Sequence, residues 1–205
     1  AELNTTFVAT SGFLLFVLFP VSGIMFLFSN EIVSLLLERG AFGEKSVAET
    51  ALFLKYLGFL APLLAINALF SRLFMAAHKI AEAFWYQVFF NFVLIGSLFF
   101  AINTYDVIGY PLTVVSIYFI NVFICYFLEK KYFNAVHYQE VLVSFFKTAI
   151  LNICIIIFIL LIKVWLNKYL GSDLLVVGAG AVIYGAIVLF LGFRFRIDET
   201  FNFFI

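Results

Sequence analysis

Apolar positions gather along the chain into six blocks, each close to the roughly 20 residues an α-helix needs to cross a hydrocarbon core about 30 Å thick. Residues 7–28 hold no charge and one proline, Pro20; residues 50–71 carry only Lys55; residues 83–102 are uncharged and rich in aromatic side chains. Residues 111–128 are uncharged and open with Pro111, well placed for a first helical turn. Residues 141–162 carry only Lys147, near their start, and residues 174–193 are uncharged and glycine-rich. The pattern predicts an all-α integral membrane protein of about six transmembrane helices.

Polar breaks separate the blocks. Ser29-Asn30-Glu31 predicts the cap of a short amphipathic helix near 31–38, stopped by Arg39-Gly40. The other breaks fall at 103–110, 129–140 and 167–173, and an aromatic tail follows Arg194, Arg196, Asp198 and Glu199. An even number of spans puts both ends on one side. Placing Arg72, Lys79, Lys130, Lys131, Lys147, Arg194 and Arg196 in the cytoplasm leaves Arg39, Lys45, Lys55, Lys163 and Lys168 opposite. Basic residues favour the cytoplasmic side, so this excess predicts cytoplasmic termini.

Composition agrees with the pattern. Charged residues make up 12% of the chain, about half the usual share of a soluble domain, too few to keep the surface of a domain this size wet. Formal net charge is zero, so no basic field points to nucleic acid. Cys125 and Cys154 sit in separate apolar blocks without metal or disulfide spacing and are expected to act as small packing residues.

Four amides, Asn67, Asn91, Asn121 and Asn152, lie inside four different blocks. An unpaired amide is costly in hydrocarbon, so each is expected to face a neighbouring helix, as an interhelical bond or as the lining of a polar path. Lys55 and Lys147 sit one or two turns inside their blocks, where they either snorkel to the interface or contact an anionic ligand. The run from Gly178 through Gly180 and Ala181 to Gly185 has no following Lys-Ser/Thr and is not a phosphate loop. Its small-xxx-small spacing, Ala181 to Gly185, suits close helix packing or a flexible groove wall. His78 and His137 lack ligand spacing, the serines lack a nucleophile elbow, and no segment supplies ATP binding. No enzyme, metal site or cofactor is expected.

The most distinctive residues are Phe19-Pro20, then Glu31-Ile32-Val33, then Leu35-Leu36-Leu37-Glu38-Arg39-Gly40-Ala41-Phe42. Thr50-Ala51-Leu52, Tyr56-Leu57-Gly58 and Leu69-Phe70-Ser71-Arg72-Leu73-Phe74-Met75-Ala76 follow in order. Together they resemble the MurJ/MviN family of lipid II flippases, within the MOP exporter superfamily. The resemblance is strongest over 19–76 and rests on hydropathy after residue 81. It implies the last six helices of a fourteen-helix transporter: residues 1–138 as the last four helices of the C-terminal lobe, and 139–205 as a C-terminal helix pair with a cytoplasmic tail. The N-terminal lobe is then expected as a missing partner, with the chain a fragment or split gene product.

By the same resemblance the substrate is an undecaprenyl-linked lipid of the bacterial cytoplasmic membrane, translocated by alternating access during peptidoglycan and cell wall biogenesis. Arg39, Arg72, Lys55 and Asn67 become candidate substrate contacts, and Gly178, Gly180, Ala181 and Gly185 the candidate wall of a lipid-tail groove. An O-antigen or other polysaccharide-lipid flippase of the same superfamily, or a non-transporting membrane scaffold, remains open.

Overall fold

A computed structural model of the chain describes residues 2–38, 43–133, 137–170 and 172–194. Eight α-helices occupy these residues: α1 (Glu2–Leu27), α2 (Ser29–Leu37), α3 (Glu44–Leu57), α4 (Leu60–Ala76), α5 (Ile80–Tyr105), α6 (Gly109–Tyr132), α7 (Tyr138–Leu170) and α8 (Asp173–Arg194). Five of them, α1 and α5 to α8, are long and apolar enough to cross a membrane. Their exposed side chains are largely Phe, Ile, Leu and Val, from Phe92 on α5 to Leu161 and Val164 on α7 and Val182 on α8. Lipid accepts such a surface and water does not.

The sixth span is broken. Residues 50–71 were expected as one uninterrupted crossing, but α3 and α4 meet at an angle of 41°. Pro62 is the cause: it has no N–H to give the Gly58 carbonyl four residues back, and its ring crowds that carbonyl. The Gly58 carbonyl instead receives the Ala61 N–H at 3.4 Å, and Phe59 N–H turns to the Tyr56 carbonyl at 3.2 Å. Pro62 then falls within the first turn of α4, where a missing donor is tolerated. The two halves still run on in one general direction, antiparallel to α1. Gly58 sits beside Ser22 and Met25, near the end of α1, whereas Phe70 reaches Tyr138, which packs on Phe7 near its start.

The short helix also begins earlier than its sequence suggests. α2 starts at Ser29 with no side-chain cap, because the Phe28 carbonyl at the end of α1 already accepts the Ile32 N–H at 2.8 Å. Val33 of α2 packs on Val47 and Ala51 of α3, while Leu36 and Leu37 face outward.

α1 is the central post, packed along α7 and α4, with α8 and α3 beside its C-terminal half. Two apolar cores form at its two ends. Around its first half, Phe70 meets Phe74, Phe133 and Tyr138 at ring-centroid distances of 5.3, 6.0 and 5.8 Å. Around its second half, Leu27 and Phe28 pack with Ile155, Ile159, Leu166, Tyr184 and Val188 of the α7–α8 pair. α5 stands at the periphery: it buries Phe90 against α6 and turns most other side chains outward.

Candidate functional site

Asn67 of α4 belongs to a polar knot inside the bundle. Its Oδ1 accepts the Asn121 Nδ2 of α6 at 3.0 Å, and the Tyr86 hydroxyl of α5 donates to the Asn121 Oδ1 at 2.6 Å. A second knot joins α7 to α8, where the Tyr184 hydroxyl donates to the Asn152 Oδ1. Gly23 of α1 leaves room for it, since a side-chain carbon there would meet both groups. Three of the four intramembrane amides thus bond across helices. Asn91 does not: it faces outward from α5, and no partner lies within reach among the described residues. The amide spacing was legible in the sequence, but the tyrosines that complete each knot were not, because 10 tyrosines in an aromatic-rich chain give no hint which are buried.

The candidate basic contacts do not converge. Lys55 is half-buried near the end of α3, with its ammonium 4.8 Å from the centre of the Phe26 ring. Arg72 is exposed in α4. Seventeen residues of the broken span separate them, roughly 25 Å along its axis, so a single phosphate or pyrophosphate group cannot touch both at once. Arg39 lies outside the described residues.

The glycine-rich helix divides by face. Gly180, Tyr184 and Val188 turn inward, and the Phe28 ring lies against Gly180 so closely that a Cβ would overlap it. Gly178 and Gly185 have nothing within 4 Å of where a Cβ would be. Close packing therefore runs through Gly180 rather than through the Ala181–Gly185 spacing. The faces of α7 and α8 that point away from α1 carry Ile153, Ile157 and Leu161, and Val182, Leu189 and Phe190. Gly178 and Gly185 add open space to that apolar surface.

The sequence places Lys163 only among the basic residues on the side opposite the cytoplasm. In the fold its ammonium pairs with the Glu31 carboxylate at 2.7 Å, donates to the Leu27 carbonyl and lies 5.1 Å from the centre of the Phe28 ring. It thereby caps the C-terminus of α1, where a cation is favoured, and ties the α1–α2 elbow to α7. The 132-residue separation hid the pair from local patterning. At the same end, the Ser34 hydroxyl lies within hydrogen-bonding distance of both Glu38 and Asp173, linking α2 to the start of α8. Among the described residues no group of His, Cys, Asp or Glu has the arrangement of a metal site.

A family model described as lipid II flippase MurJ matches residues 1–191. No curated protein and no solved structure matches the chain.

Proposed function

Because the chain belongs to the lipid II flippase MurJ family, we propose that it forms one wall of a transporter, not an enzyme, that moves lipid II across the bacterial cytoplasmic membrane. The family match over nearly the whole chain carries this reading. The physics of the task fits the fold. A charged saccharide headgroup cannot cross hydrocarbon unaided, whereas its polyprenyl tail belongs there. Translocation therefore needs an apolar surface for the tail beside a path that solvates the head.

The outward faces of α7 and α8 supply the apolar surface, with Gly178, Ala181 and Gly185 giving the tail room to lie close to the helix. Lys55 and Arg72, set apart along one broken span, would meet the anionic headgroup at opposite ends of its passage. The Asn67 knot pins α4 to α5 and α6, so that span moves with its neighbours as a unit. Alternating access needs an opposing wall. Asn91, turned outward at bilayer depth, supports such a wall against α5, because an amide left in lipid is costly. In this proposal both termini face the cytoplasm and an N-terminal lobe completes the cavity.

Depletion of the full-length protein from cells tests the reading. Lipid II should become inaccessible to a membrane-impermeant enzyme that cleaves it from outside, and re-expression should restore cleavage. Unchanged cleavage, in cells with no other lipid II flippase, would refute it. The same arrangement would serve another lipid-linked saccharide, so loss of polysaccharide-lipid exposure instead would move the substrate to that class.

A further inference from the structure

A cavity of about 490 Å³ opens between α5 and α6 with Phe74 of α4 behind it, on the opposite side of α5 from Asn91. Its walls are almost wholly apolar, among them Trp85, Phe89 and Val93 of α5 and Ile117, Ile120 and Ile124 of α6. Phe89 and Val93 each lie about 160° around α5 from Asn91, so a wall covering Asn91 leaves the crevice open. The crevice belongs to a different part of the fold from the outward faces of α7 and α8.

Its length is informative. On α5 the lining runs from Ala81 to Val93 and on α6 from Tyr132 to Ile117, roughly 18 and 22 Å of helix. One end lies where α5 begins and α6 ends, at the membrane edge, and the other lies near mid-helix. One leaflet of a bilayer, headgroup region included, is about 20–22 Å deep. The crevice therefore spans a single leaflet and stops near the midplane, which suits one acyl chain of a bilayer lipid and is too short for a long polyprenyl tail held straight.

The outer end is basic. Tyr132 forms its rim, and the ammonium groups of Lys79 and Lys131 lie 5.2 and 5.3 Å from the centre of that ring. Lys79 also donates to the Tyr132 carbonyl at 2.7 Å. Neither lysine has a carboxylate within ion-pairing distance among the described residues. Against them stands one carboxylate in the lining, Glu82. Basic pockets between transmembrane helices at the membrane edge recognise anionic lipid headgroups.

We propose that the α5–α6 crevice holds one acyl chain of an anionic phospholipid, with its phosphate seated between Lys79 and Lys131. The site is distinct from the tail surface of the proposed transport path and does not depend on it. A lipid wedged there would fill the gap between α5 and the rest of the bundle, bracing a helix that buries little of itself.

Trp85 offers a direct readout, because it lines the crevice and the only other tryptophan, Trp165, lies on α7. The full chain carrying Trp165→Phe is reconstituted in phosphatidylcholine containing a small fraction of brominated phosphatidylglycerol, and quenching of Trp85 is compared with that by brominated phosphatidylcholine at the same fraction. Phosphatidylglycerol should bind about 25-fold or more in preference. Lys131→Gln should reduce the preference roughly five-fold, and Lys79→Gln with Lys131→Gln roughly 25-fold. Glu82→Gln should raise it. Lys131 is exposed, so its single variant serves if the double variant does not fold. Equal quenching by the two lipids would overturn the proposal, and so would displacement of brominated phosphatidylglycerol by undecaprenyl phosphate with no effect of the lysine variants.

Discussion

Replacing Lys163 with methionine removes the charge while keeping an unbranched apolar stem, and the fold allows the cost to be worked out. Lys163 makes two charge-assisted contacts, to Glu31 at 2.7 Å and to the Leu27 carbonyl. Hydrogen bonds to charged groups contribute about 1.5–3 kcal/mol each. The side chains retain 18% and 12% exposure, between an exposed pair and a fully buried one, so both contacts are discounted for solvent screening. The expected loss is about 2–3 kcal/mol. Glu31→Gln should cost less, about 1 kcal/mol, because the lysine keeps the Leu27 carbonyl and the Phe28 ring and the amide oxygen can still accept. In a double-mutant cycle the coupling should be about 1–2 kcal/mol. Unfolding in mixed micelles with increasing dodecyl sulfate measures all three quantities. A coupling indistinguishable from zero, or a Glu31→Gln cost exceeding that of Lys163→Met, would refute the idea that this lysine caps α1 while pairing with α2.

Asn121→Leu strips both the donor to Asn67 and the acceptor of Tyr86 and should cost about 1–3 kcal/mol in the same unfolding measurement, in line with about 0.6–1.7 kcal/mol per interhelical bond in membranes. Gly180→Ala presses on the fully buried Phe28 ring and should destabilise by about 1–3 kcal/mol, whereas Gly185→Ala meets open space and should be neutral or stabilising by up to about 1 kcal/mol. Gly185→Phe should leave the fold intact and slow lipid translocation in the full-length protein, read as a drop in lipid II exposure. In a background lacking Cys125 and Cys154, Glu44→Cys and Ile80→Cys should label from opposite sides of the membrane, with Ile80→Cys on the cytoplasmic one; labelling from one side would make α3–α4 a re-entrant hairpin.

The spans of α1 and α5 to α8 were legible because burial in lipid demands only length and apolarity, and residues 7–28 or 141–162 declare both. The break in α3–α4 was written at Gly58 and Pro62, four residues apart, but hydropathy averages over such a pair. The start of α2 was misjudged because Ser29 and Asn30 look like caps, while the carbonyl that takes the first helical N–H is that of Phe28, just after α1. Asn91 was expected to face a neighbour, and hydropathy cannot tell which side of a peripheral helix will be covered. The Lys163–Glu31 pair is not legible in the sequence, because only the fold of α1 onto α7 brings the two residues together. Of the candidate site residues, Asn67 was drawn into a knot for the reason its burial predicted. Lys55 and Arg72 fall in different halves of one broken span, as their places at the start and just past the end of residues 50–71 imply.

Transport itself is the decisive measurement. Full-length protein reconstituted into vesicles with fluorescently tagged lipid II in the inner leaflet should move the tag to the outer leaflet, where an impermeant quencher reaches it, and the rate should scale with protein content. A tag that stays protected at every protein density, with the protein folded and inserted, would contradict the account.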